Sequence, residues 1–268
     1  MITCVPSRCR RHSEAGFSLI ELAVVLVIIG LLVGGGIAAF EAGTEQTRRA
    51  EQRRQFETVR AALYGFAMSE GRLPCPDTSD PLDGVEDTND DPDPDPPYLC
   101  AAREGALPWA DLGVGRRDAW GQPLRYRVTT DPGGTTEPDY ADHEDTPATF
   151  AIDDDPHDLD PSDQARIDVS ASAGGGSDVA AAVVAIVVSY GPQGDQVWVN
   201  DDATLNCPPA GSEGFSAEEN ENCNGDPDGH FADPGYRPPE VDDGFDDMLT
   251  WIPYPVLTAR MVDAGVLP

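Results

Sequence analysis

Residues 17–40 form an almost unbroken apolar stretch, and one carboxylate, Glu21, stands inside it. About 20 apolar residues suffice to cross a bilayer as a helix, so the stretch is long enough to span. Arg8, Arg10 and Arg11 lie just before it, so the leader is expected to stay cytoplasmic and the remainder to be exported. An ordinary secretory signal has a shorter apolar region followed by a small-x-small cleavage site. Gly36-Ile37-Ala38 is the segment that offers this alternative. A carboxylate deep in a membrane helix costs on the order of 3 kcal/mol. Glu21 must therefore either reach for water at the membrane edge or find a partner inside a dry bundle.

The run Gly16-Phe17-Ser18-Leu19-Ile20-Glu21-Leu22, behind its basic leader, resembles the N-terminus of the type IV pilin and pseudopilin family. The resemblance implies cleavage between Gly16 and Phe17 by a prepilin peptidase, retention of the apolar helix and N-methylation of Phe17. It also implies that Glu21 pairs with the Phe17 amine of a neighbouring subunit and so sets the register of assembly. The expected location is the inner membrane, single-pass, with the C-terminal head in the periplasm. The expected partners are other pilin or pseudopilin subunits, the peptidase and an inner-membrane assembly platform. The organisation read from the chain is a cleaved leader (1–16), a transmembrane assembly helix (17–40), an amphipathic continuation (41–70) and a β-rich head (71–268).

The net charge is −32, and all 17 basic residues are arginine. Such acidity argues against a phosphate-contacting surface, which needs clustered positive charge, so no nucleic acid is expected as a partner. It fits an exported head that repels its like and attracts cations; adaptation to high salt is a competing account. Cys4 and Cys9 fall in the leader, which leaves Cys75, Cys100, Cys207 and Cys223 in the exported part. Three pairings are possible. The local ones, Cys75 with Cys100 and Cys207 with Cys223, are favoured because each closes a loop rich in Pro, Asp and Gly that burial could not order. The spacing lacks the C-x-x-C pairs of a zinc site.

Past Phe40 the sequence favours continued helix, with Phe56, Val59, Leu63 and Phe66 forming one apolar stripe. Gly71 and Pro74 should end it, and Gly34-Gly35-Gly36 is a weak point within it. Strands are expected at 124–129, 149–152, 167–172, 180–189, 197–199 and 248–252, with a helical turn at 258–264. The segment 180–189 reads as buried on both faces. Residues 77–97, 131–145 and 206–243 read as acidic loops. The fold class is α+β, pilin-like: a long N-terminal helix packed on an antiparallel sheet.

Asp118-Ala119-Trp120-Gly121-Gln122-Pro123-Leu124-Arg125-Tyr126 resembles the D-P-W-G-x-P-Y-x-Y segment of the major pseudopilin of type II secretion. Ser189-Tyr190-Gly191-Pro192-Gln193-Gly194 resembles its S-x-G-x-x-G turn, and an acidic loop and Trp251 follow here as there. The head is much longer than that family's, which favours a larger minor subunit or a distinct pilin-like protein. The resemblance implies calcium in the acidic loop, with Asp242, Asp243, Asp246 and Asp247 as ligands; calcium takes six to eight oxygens. Two rival calcium loops are Asn224-x-Asp226-x-Asp228-Gly229 and the set Asp77, Asp80, Asp83 and Glu86.

There is no G-x-S-x-G, H-E-x-x-H or P-loop, and no enzyme is expected. The expected function is a structural subunit of a type II secretion pseudopilus. The alternatives are a minor type IV pilin serving adhesion, motility or DNA uptake, or a membrane-anchored protein that captures calcium or a basic partner.

Overall fold

The computed structural model describes residues 18–88, 100–130, 140–141, 166–198, 205–209, 212, 215–224, 229–238 and 244–267, without the side chains of 32–42. Gly16 and Phe17, the strand expected at 149–152, Asp226, Asp228, Asp242 and Asp243 lie outside the described residues, as do parts of all three acidic loops. In chain order the elements are α1 (Leu19–Glu70), β1 (Glu104–Ala106), α2 (Trp109–Leu112), β2 (Arg125–Val128), β3 (Asp168–Ser170) and β4 (Asp178–Ala180). Then follow β5 (Ala185–Ser189), α3 (Gly194–Val197), α4 (Ala217–Asn224), β6 (His230–Ala232), β7 (Met248–Ile252) and α5 (Tyr254–Asp263). The chain divides into two compact units, Met1–Thr47 and Arg48–Pro268.

In the first unit α1 is helical through Gly34-Gly35-Gly36. Its apolar side chains from Leu19 to Leu31 are exposed, and nothing among the described residues covers them. Among the described residues no helix is long and apolar enough to cross a membrane.

In the second unit α1 buries Phe56, Val59, Leu63, Tyr64 and Ala67. Phe66 is only half-buried, with the Arg72 guanidinium 5.2 Å from its ring centre. The helix stops where expected. Gly71 takes φ +77, a conformation open to glycine, and its N–H closes on the Ala67 carbonyl at 3.0 Å.

The stripe packs on a sheet of order β1-β2-β5-β7, antiparallel throughout. Strand alternation divides the residues between two cores. Leu124, Tyr126, Val128, Ala185 and Val187 join α1 in one core. Ile186 and Val188 face the other, with Ile167, Val169 and Phe231. β5 is buried on both faces, as its apolar run implies. Each fully buried Val, Leu or Phe contributes about 1.5–3 kcal/mol, so these two cores carry most of the stability.

The second core lies against a smaller sheet of order β4-β3-β6, in which β3 and β6 run parallel. A second, mixed sheet was not foreseen. The segment 206–243 is not all loop, since it holds α4 and β6. The segment 180–189 is not one strand: β4 ends at Ala180, and Ala182 turns the chain at φ 48 while its N–H donates to Asp168 at 2.7 Å. Val197 ends α3 rather than starting a strand, and the C-terminal helix spans ten residues from Tyr254. Cys75 is bonded to Cys100 and Cys207 to Cys223.

Candidate functional site

Asp118 organises the Asp-Ala-Trp-Gly turn. One carboxylate oxygen accepts the N–H of Trp120 at 2.9 Å and of Gln122 at 2.8 Å; the other accepts the Ser189 hydroxyl at 2.6 Å. Gln52 of α1 accepts the Ala119 N–H at 3.0 Å, which ties the turn to the helix. Burial pushes Asp118 above the ordinary carboxylate range, while the Ser189 and backbone donors pull it back.

Beyond Ser189 the chain turns at Gly191, with φ +56. A Cβ there would lie 2.9 Å from an Asp246 carboxylate oxygen and 3.0 Å from the Asp246 carbonyl. Glycine is needed both for the backbone angle and for this approach. The two head motifs and the acidic segment read from the sequence therefore meet in space.

Asp246 and Asp247 are joined by Glu219, and one carboxylate oxygen from each of the three lies within 4.8 Å of the other two, all on buried residues. Glu219 sits in the first turn of α4, where it and Ser216 form a reciprocal cap. The Ser216 N–H reaches Glu219 at 2.7 Å, and the Glu219 N–H reaches the Ser216 hydroxyl at 3.2 Å. The other Glu219 oxygen accepts the Asp246 N–H at 3.0 Å. Asp247 accepts from Asn222 at 2.9 Å, and Asn222 is itself held by both backbone groups of Ala232. Burial pushes Asp247 well above its usual range, and the charges of Glu219 and Asp246 push it further. Burial also raises Glu219.

Arg125 anchors α4 from beneath. Its guanidinium donates to the carbonyls of Asn222 and Cys223, to the Tyr190 hydroxyl at 3.0 Å and to Glu104 at 2.6 Å. The Cys207–Cys223 bond holds the same end of the helix.

The sequence pointed to Asp246 and Asp247 and missed Glu219. The signal was present as Ser216-Ala217-Glu218-Glu219, an S-x-x-E capping box inside a segment read as loop. The set Asp77, Asp80, Asp83 and Glu86 does not converge. Asp77 is buried and accepts from Ser79 and Gly84, and Glu86 is locked to Arg72 by two bonds of 2.7 Å, while Asp80 and Asp83 are exposed. In the Asn224 loop, Asn224 closes α4 and Gly229 packs against the Arg166 carbonyl. Glu21 is exposed on α1.

Residues 11–37 match the prokaryotic N-terminal methylation motif. The chain thus carries the signature of type IV pilin and pseudopilin precursors. The match takes in Gly16, Phe17 and Glu21 and ends before the head. The motif implies processing by a prepilin peptidase and assembly with other pilin subunits. It points to a structural subunit anchored in the membrane. No curated protein and no solved structure matches the chain.

Proposed function

We propose that this pilin-like protein assembles through its N-terminal helix into a type II secretion pseudopilus and supports protein export. The supporting observation is the helix that begins within the methylation motif, whose apolar side chains from Leu19 to Leu31 are exposed. Lipid covers such a surface before assembly and neighbouring helices cover it afterwards. After cleavage at Gly16, the Phe17 amine and Glu21 of adjacent copies neutralise each other in the dry bundle, where a lone charge is costly. Mass spectrometry of the membrane-extracted chain should find methylated Phe17 at its N-terminus, and Glu21→Ala should abolish multimers while leaving processing intact. Normal assembly of that variant would end the pairing role, and an intact Met1 would favour the membrane-anchored binding protein instead.

The length of the head favours a second reading within the class, a minor subunit of a pseudopilus or type IV pilus. Purified filaments would separate the two, since a minor subunit is present at a few copies and a major one throughout.

We further propose calcium at Glu219, Asp246 and Asp247, with Asp242 and Asp243 beside them in sequence. The donor set suits a hard cation. Three carboxylates at this spacing repel one another when ionised, and a bound cation relieves that repulsion. Millimolar calcium should raise the Tm of the detergent-extracted protein by several degrees over EDTA, and no shift would count against the site.

A further inference from the structure

We propose that Arg53 and Arg54 receive an acidic segment of a second copy of this chain, in the groove between α1 and β7. This rests on the filament reading above and names a contact that reading leaves open. The chain has 49 carboxylates and no lysine, so an exposed arginine has abundant acid within its own molecule to pair with. Nearly every arginine among the described residues is held by a carboxylate, a carbonyl oxygen or an aromatic ring of the chain itself. Arg53 is an exception, with no partner among the described residues, and Arg48 is the other. Arg54 reaches only Glu51, at 3.8 Å, and both side chains are exposed, a pair that contributes little.

Arg53 and Arg54 border a shallow groove of about 330 Å³ with Phe56, Glu57, Leu249 and Thr250. Phe56 and the half-buried Leu249 give it an apolar floor. β7 is an edge strand of its sheet, so the groove opens where the sheet ends. Two guanidiniums over an apolar floor suit a carboxylate-bearing segment with one apolar side chain.

Charge argues for a second copy as the occupant. Once the leader is gone, each chain retains 14 arginines against 48 carboxylates. Copies so charged repel when bundled, and contact is favoured only where positive faces negative.

The test is a photo-crosslinking residue at Leu249 in the full-length protein in its own membrane. Crosslinks should join Leu249 to an Asp- or Glu-rich peptide of a second copy. The double variant Arg53→Glu/Arg54→Glu should cut the dimer yield at least tenfold, while Arg53→Lys/Arg54→Lys keeps at least a third. Membrane level, the Phe17 terminus and Tm should match wild type, which excludes misfolding. Unchanged yield in the Glu variant, or capture of lipid or another protein, overturns the proposal. A parallel probe at Leu26 reports helix bundling alone. Bundling without groove crosslinks sinks only this inference, and loss of both sinks the filament reading with it.

Discussion

The Asp118 carboxylate accepts the Ser189 hydroxyl at 2.6 Å across 71 residues of chain. That bond joins the Trp-Gly turn to the end of β5, and the turn after β5 lies against Asp246. Position in the head thus passes from α1 through Gln52 to the turn, to Ser189, and to the acidic trio.

Removing the hub should therefore be costly. Asp118→Ala leaves the Ser189 hydroxyl and two backbone N–H groups without their acceptor in a buried place. The expected loss is about 3 kcal/mol, read as a lower denaturant midpoint for the extracted protein. A loss under about 0.5 kcal/mol would mean that water replaces the carboxylate.

Gly191 tolerates no side chain. Gly191→Ala meets both a positive φ and the Asp246 backbone, and should cost about 2 kcal/mol. Gly115→Ala is the control, since its nearest contact would be 4.0 Å away. Equal midpoints for the two variants would contradict the close packing.

The Cys207–Cys223 bond should matter for both stability and cation response. It closes a loop with a sequence separation of 16, for which chain entropy gives about 3 kcal/mol. Cys207→Ser/Cys223→Ser should lower the Tm and also weaken the calcium shift, because α4 carries Glu219. A lowered Tm with an undiminished calcium shift would separate the bond from the trio.

The pH dependence has a definite sign. Burial raises Asp247 and Glu219, so without a cation the folded chain holds protons that the unfolded chain releases. Their contribution to stability is full below the unfolded carboxylate range, about 4, and is lost as pH rises through the raised folded values. In EDTA the Tm should fall as pH climbs from about 4 toward neutrality, and Asp247→Asn should flatten that fall. Calcium should restore stability at neutral pH and do little near pH 4. Identical profiles for wild type and Asp247→Asn would refute the assignment.

The N-terminal half of the account was legible in the residues alone. Apolar length, a basic leader and Gly16-Phe17 with Glu21 are local and contiguous, and so is the 56-59-63 stripe that lays α1 on the sheet. β5 and β7 were visible for the same reason, as short runs rich in apolar residues, and β2 as a short run in which Leu124, Tyr126 and Val128 alternate with arginine. The sequence also narrowed the disulfides to two short loops.

What only the tertiary structure decided is long-range. Glu219 joins Asp246 and Asp247 because a cap inside a polar segment starts α4, and because Arg125 and a disulfide hold the end of that helix. No periodicity encodes that meeting. The parallel pairing of β3 with β6 bridges 62 residues between Asp168 and His230, a contact that pattern within either strand cannot announce. Local chemistry sets which segments are helix, strand or lipid-facing. Which carboxylates share a buried space depends on how those segments close on one another, and burial alone makes their charges matter.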